Sequence, residues 1–188
     1  MFDKDFKELL SIFNSHSVKY LVIGGYAVSF HAQPRATKDL DLLIKPDAAN
    51  AKAVYAALAR FGAPLEGLKE DDFIERDKFF RMGRPPLMVD ILPAIRGVDF
   101  DHAWQNRVEA VVDPESGLTA SFISREDLIA AKLAAGRPQD ILDVAAVREA
   151  AQQMSKQRAA ERDAEQKRAW EEASNKKLEQ ENEQGLSP

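Results

Sequence analysis

Beyond Ala150 the chain has almost nothing left to bury. Residues 151–188 hold 7 basic and 8 acidic side chains, and their only large apolar residues are Met154, Trp170, Leu178 and Leu186. A segment of that composition cannot cover a hydrophobic face of its own. It is nevertheless rich in Ala, Glu, Gln, Lys and Arg, with no Gly or Pro before Gly185, so its backbone favours helix. Residues 151–188 read as a charged, helical or partly disordered tail that frays toward its end. It is either a solvated extension without a role or a helix that docks a protein partner. The core must come from residues 1–150, enough chain for one domain.

Within that stretch the apolar periodicity changes repeatedly. Phe2, Phe6, Leu9, Leu10 and Phe13 recur at helical spacing. Residues 20–23 form a short β-prone run, broken by Gly24-Gly25, and residues 26–32 look helical. Leu40, Leu42, Leu43 and Ile44 form a second strand ended by Pro46; Asp47 caps a helix over residues 48–61, which Gly62 stops. Residues 73–82 and 87–92 are two β-like runs around Gly83-Arg84-Pro85-Pro86, read as a hairpin turn, and residues 108–112 and 118–123 form a second hairpin. Ser124 and Asp127 resemble a capping box that opens a helix to Ala135, with Gly136 as its stop, and Pro138 starts the last helix. Helices and strands in this order predict an α+β domain with a mixed sheet.

Composition removes several chemistries. With no Cys, there are no disulfides, thiolate metal sites or Cys nucleophiles, which fits a reducing cytoplasm. A net charge of −5 argues against a surface coated for nucleic acid but leaves room for a local basic patch. No apolar run approaches the ~18 residues a membrane span needs. Acids stand near the N-terminus where a secretory leader would be basic and then apolar.

The chemically informative stretch runs from Gly24 to Asp41. Asp39 and Asp41 are two apart in a strand, so their carboxylates leave one face side by side. Such neighbours repel unless a cation lies between them, and hard oxygen ligands suit Mg²⁺. The plain alternative is a strand end with two solvated acids. Gly24-Gly25, between a buried strand and a helix, lets backbone N–H groups approach an anion closely, phosphate above all. Alone, two glycines are more often a tight turn. A third acid, Asp90, interrupts the apolar run of residues 88–92. Buried unpaired it would cost several kcal/mol, so it must face solvent or a cation. If its strand lies beside that of Asp39 and Asp41, three carboxylates converge, enough for the two-metal geometry of displacement at phosphorus.

Gly-Gly, then Arg35-x-Thr37-x-Asp39-Leu-Asp41, then a later Val-Asp90-Ile-Leu, resembles the polymerase-β-type nucleotidyltransferase superfamily. Within it, the pattern is similar to small bacterial nucleotidyltransferase-like proteins related to the AbiEii toxins of abortive-infection and toxin–antitoxin systems. Lys132 and the run Arg137-x-x-Asp140-x-x-Asp143 extend the likeness, which spans residues 18–147. The superfamily usually has Gly-Ser where this chain has Gly24-Gly25. The resemblance implies a mixed sheet of the nucleotidyltransferase type with helices packed on it and a C-terminal helical extension. It also implies site roles. Asp39, Asp41 and Asp90 would bind Mg²⁺ or Mn²⁺, with Asp90 also the base for an acceptor hydroxyl. Gly24, Gly25, Arg35, Thr37 and Lys132 would bind nucleotide, the alternatives being local hydrogen bonds for Arg35 and Thr37 and a solvated helix face for Lys132. Arg137, Asp140 and Asp143 would support the site from behind, pairing with each other or orienting Lys132. His31 is read as structural. Lys38, Lys78, Arg81 and Arg84, with Arg35 and Arg137, supply positive charge suited to phosphates or nucleic acid.

The activity implied is transfer of a nucleoside monophosphate from an NTP to an acceptor hydroxyl, on an RNA end such as tRNA, a protein or a small molecule. A role as a toxin of a bacterial defence module is implied by analogy. The alternative is a nucleotidyltransferase fold that holds nucleotide or a protein partner without turnover.

Overall fold

The computed structural model describes residues 2–34 and 36–184, with residues 171–184 by backbone alone. The chain divides into two units, Met1–Val147 and Arg148–Pro188. The first holds helices α1 (Lys4–Ser15), α2 (Gly24–His31), α3 (Ala48–Phe61), α4 (Phe100–Gln105) and α5 (Arg125–Ala135). It also holds strands β1 (Tyr20–Val22), β2 (Asp39–Ile44), β3 (Phe80–Arg84), β4 (Leu87–Leu92), β5 (Val108–Asp113) and β6 (Leu118–Phe122). Helix α6 (Pro138–Gln184) begins in the first unit and makes up the described part of the second.

The strands form one mixed sheet in the order β3-β4-β2-β1-β6-β5. Strands β1 and β2 are antiparallel, whereas β2–β4 and β1–β6 are parallel. The parallel pairs join segments far apart in sequence, which only tertiary folding can do. The α+β class and mixed sheet expected from element order are what the molecule has.

Local chemistry explains most boundaries. The Asp3 carboxylate accepts from the Asp5 N–H at the start of α1, and Asp47 accepts from Asn50 at the start of α3. Gly62 closes α3 in the left-handed region at φ 85°. Ser124 caps α5 through the Asp127 N–H and donates its hydroxyl to the Asp127 carboxylate at 2.7 Å. Phe6, Leu9, Leu10 and Phe13 all lie on the buried face of α1, the four positions its helical spacing selects. Asn50 ties α3 to the sheet: it accepts from Lys19 N–H and donates to the Lys19 and Lys45 carbonyls. Those bonds satisfy a buried amide and fix the start of β1 next to the end of β2.

Two details differ from the periodicity. The β-like run of residues 73–82 supplies a strand only from Phe80; Phe73 closes a 3₁₀ turn, Glu70–Phe73. Asp72 accepts from the Lys69 N–H, and Lys78 bonds both Asp72 and Glu75. These local polar bonds hold a turn where apolar content alone suggests a strand. Helix α4, capped by Asp99, was not legible in the pattern; only Phe100 and Ala103 of it are buried, too few for a clear period.

The last helix continues from Pro138 through Ala150 to Gln184. In the first unit it buries Val144 and Val147. In the second, Met154 and Trp170 are exposed, as expected of a segment with little apolar surface.

Candidate active site

The site is built where β1 ends. The Ile23 N–H bonds the Asp41 carbonyl at 3.0 Å, extending the antiparallel ladder by one pair and laying Gly24 across the Asp41 side chain. Gly24 has φ +60°, and a Cβ there would stand 1.9 Å from Asp41 Oδ2. Glycine is required at this position twice over, for backbone conformation and for space. Helix α2 starts on this residue, so its first turn carries N–H groups with no partner within the helix.

The register of β2 and β4 brings in the third acid. Asp41 is directly opposite Asp90, and Asp39 is opposite Met88. In a parallel pair, opposite residues share a face, so Asp39, Asp41 and Asp90 leave the same side of the sheet. All three line a cleft of about 940 Å³ with Gly24, Gly25, Thr37, Lys38, Arg81, Arg96, Lys132 and Arg137. Burial pushes the Asp41 carboxyl up to about 6, Asp90 and Asp39 add to the shift, and Lys132 and Arg137 oppose it.

The three acids are not a ready-made metal cage. Among the described residues, no group of three or more His, Asp or Glu is placed to hold a metal ion. The physical reason lies on β3, where Arg81 is opposite Asp90. Its guanidinium takes both carboxylate oxygens, Nε to Oδ1 and Nη2 to Oδ2, each at 2.6 Å. That bidentate fork is the strongest ordinary partner a carboxylate finds in protein. The acid expected to face a cation does so, but the cation is an arginine. This residue's position opposite Asp90 was missed, although the hairpin carried the signal. A turn formed by Pro85 and Pro86 alone pairs Arg84 with Leu87 and so Arg81 with Asp90, whereas a four-residue turn from Gly83 shifts that register.

Behind the acids lies a buried ionic cluster. The Lys132 ammonium is 2.8 Å from both Asp140 Oδ1 and Asp143 Oδ2. Arg137 adds Nε to Asp140 Oδ2 at 2.7 Å and Nη2 to Oδ1 at 3.1 Å. Gln139 donates to Asp143 at 3.0 Å. Burial works to raise the Asp140 pKa, but the Arg137 and Lys132 hydrogen bonds outweigh it and hold it at about 2. The lysine implied as a phosphate ligand lines the cleft, yet its ammonium is held by two carboxylates. The Arg137 side chain is 72% exposed and reaches the same cleft.

The remaining expected residues divide. Among the described residues, the Thr37 hydroxyl reaches the Asp39 carbonyl at 3.5 Å, a weak local contact. The buried His31 ring lies 2.7 Å through Nε2 from the Ile123 carbonyl, and burial lowers its pKa; it joins α2 to the end of β6. Lys78 pairs with Asp72 and Glu75 and does not line the cleft. Arg84 does not line it either, whereas Arg96, which no pattern had singled out, does. Arg35 lies outside the described residues.

A strand–Gly-Gly–helix corner, an Asp-x-Asp on the neighbouring strand and a third Asp on the strand beyond form the framework of a nucleotidyltransferase-type domain. The chain belongs to the family of nucleotidyltransferases of unknown function (DUF6036), whose model matches residues 1–179. A comparison with curated proteins finds no match. No helix among the described residues is long and apolar enough to cross a membrane.

Proposed function

We propose that the cleft transfers a nucleoside monophosphate from an NTP to an acceptor hydroxyl and releases pyrophosphate. The observation that carries this reading is the placement of Asp41, opposite Asp90 and against a glycine that no side chain could replace. A strand pair with two acids in register needs a reason, because like charges directly opposite destabilise a sheet.

The residues fit a divalent ion by chemistry. Asp39, Asp41 and Asp90 offer hard oxygen donors, the type Mg²⁺ and Mn²⁺ take. Asp41 is held as an anion only against burial and two neighbouring acids, a cost that added positive charge relieves. When bound, the ion would neutralise phosphate charge and polarise the transferred phosphorus. Everything else falls to the chain itself. The N–H groups at Gly24 and Gly25 would receive the triphosphate at the start of α2. The Asp90 carboxylate would accept the proton of the acceptor hydroxyl. The acceptor's hydroxyl oxygen would then form the new bond to the α-phosphorus as the bond to the pyrophosphate oxygen breaks. Lys132, fixed between Asp140 and Asp143, places positive charge behind the acids without freedom to wander. Catalysis of this kind is positioning and electrostatics. The acceptor is an RNA end such as tRNA, a protein or a small molecule, and the module context suggested by the AbiEii likeness is a bacterial toxin.

The test is incubation with each labelled NTP, Mg²⁺ and a cell extract. Labelled product and pyrophosphate are expected, and both should vanish in Asp39→Ala/Asp41→Ala. No product with any NTP, with a wild-type melt indifferent to Mg²⁺ and NTP together, would overturn the reading. A melt that rises with Mg²⁺ and NTP but yields no product would favour a nucleotide-holding module without turnover. The specific support for that second reading is the Arg81–Asp90 pair, which occupies the expected base.

A further inference from the structure

The Asp90 side chain is 12% exposed, while the Arg81 side chain that holds it is 50% exposed. The pair is therefore lopsided. The acid is fixed in β4 between buried Val89 and Ile91, and both it and the guanidinium line the cleft. Arg81 belongs to β3, the edge strand of the sheet. Its neighbour Met82 is buried on the opposite side, so the backbone is anchored and any movement falls to the long side chain. Because the guanidinium is half-exposed, it can leave the fork without being buried unpaired, whereas buried Asp90 needs another cation in its place. The Arg81 charge is also felt by Asp39 and Asp41. The guanidinium neutralises Asp90 directly, at the place where a divalent ion would meet that acid.

We propose that Arg81 and a divalent cation are alternative partners of Asp90, and that the displaced guanidinium becomes a phosphate ligand in the same cleft. This rests on the nucleotidyltransferase reading and adds a positioning residue to it. With Arg81 seated, the fork uses one lone pair of each Asp90 oxygen and its positive charge repels a second cation, so the ion binds the acid weakly. Entry of the ion turns those oxygens away from the fork. The guanidinium stays at the cleft wall with five N–H donors in a geometry that matches phosphate oxygens. Exchange couples metal to triphosphate: the ion that completes the acid set also releases the cation that holds the nucleotide. The linkage is reciprocal, so triphosphate that captures Arg81 must tighten metal binding by the same factor.

The experiment titrates Mn²⁺, followed by electron paramagnetic resonance, and then inorganic triphosphate at saturating Mn²⁺, followed by calorimetry. The proteins are full-length wild type, Arg81→Gln, Arg81→Lys and Asp41→Asn. Arg81→Gln should bind Mn²⁺ about threefold to tenfold tighter and triphosphate weaker by a similar factor. These opposite signs are not what loss of fold produces. Arg81→Lys keeps the charge but not the fork, so it should fall between the two for both ligands and serves if the Gln variant folds poorly. An unchanged Mn²⁺ affinity in Arg81→Gln, or the same sign for both ligands, overturns the exchange. So does Arg81→Lys matching wild type for both ligands, which would leave net charge as the only effect. Asp41→Asn separates the two levels. If it abolishes Mn²⁺ binding, the metal site stands whatever Arg81 does. If Mn²⁺ binding survives it unchanged, or no variant binds Mn²⁺, the nucleotidyltransferase metal reading has failed and the exchange with it.

Discussion

Replacing Asp41 by Asn should make the protein more stable and less active. Burial, Asp90 and Asp39 hold the Asp41 carboxyl at about 6 against an ordinary 3.8. Two pKa units correspond to about 3 kcal/mol of folding free energy lost when the group ionises. The sign follows from proton uptake. The folded state holds its proton to higher pH than the unfolded chain, so the Asp41 contribution is fullest below about 4 and is lost as pH rises through about 6. Asparagine has nearly the same shape and no charge, though its amide must find partners. A gain of about 1–3 kcal/mol at pH 7 is therefore expected, or roughly 2–10 °C for a unit of this size. Scanning calorimetry at pH 7 and near pH 4.5 reads both the gain and its closing as wild-type Asp41 protonates. Millimolar Mg²⁺ should narrow the gap from the other side, by stabilising wild type and leaving the variant unmoved. A variant that melts at or below wild type at pH 7, or a gap that does not change with pH, would refute the claim that Asp41 is ionised against a local electrostatic cost.

Gly24→Ala should drive a methyl group into Asp41 at a position with φ +60°; a fall of about 1–3 kcal/mol in urea unfolding is expected, with transfer activity lost, and unaltered activity would show the cleft does not depend on that contact. Lys132→Met leaves Asp140 and Asp143 buried without the ammonium that bridges them; urea titration should show a loss of about 3–5 kcal/mol, and a loss under 1 kcal/mol would mean the ionic cluster does not hold α5 to α6. Truncation at Ser174 removes Leu178 and Leu186 as its only large apolar residues; the calorimetric transition of residues 1–147 should stay cooperative and within about 2 °C of wild type, and an insoluble product would place the tail in an obligate interface.

Much of the local structure needed no tertiary information. Helix α1 was legible because Phe6, Leu9, Leu10 and Phe13 repeat at the helical period, and α3 because Asp47 and Gly62 mark its two ends. The same-side placement of Asp39 and Asp41 follows from strand alternation alone. These features depend on neighbours a few residues apart, so short-range sterics and hydrogen bonding specify them. What the chain order could not fix is which strands lie side by side. Nothing within residues 39–44 says that β4 rather than β6 will be their parallel neighbour, because the connection between parallel strands is long and its closure is decided by burial across the whole sheet. Asp90 was therefore a candidate from its apolar surroundings, but its place opposite Asp41 belongs to the tertiary fold. So does the partner it finds there: Arg81 reaches Asp90 only because a two-residue Pro85-Pro86 turn sets the hairpin register, and a shift of one pair along that ladder would aim its guanidinium at the other face. Lys132 shows the same division. Its helix was foreseeable from the Ser124 cap and the Gly136 stop, whereas the capture of its ammonium by Asp140 and Asp143 required two helices to fold against each other and exclude water from charges that sequence spacing could only place on one helical face.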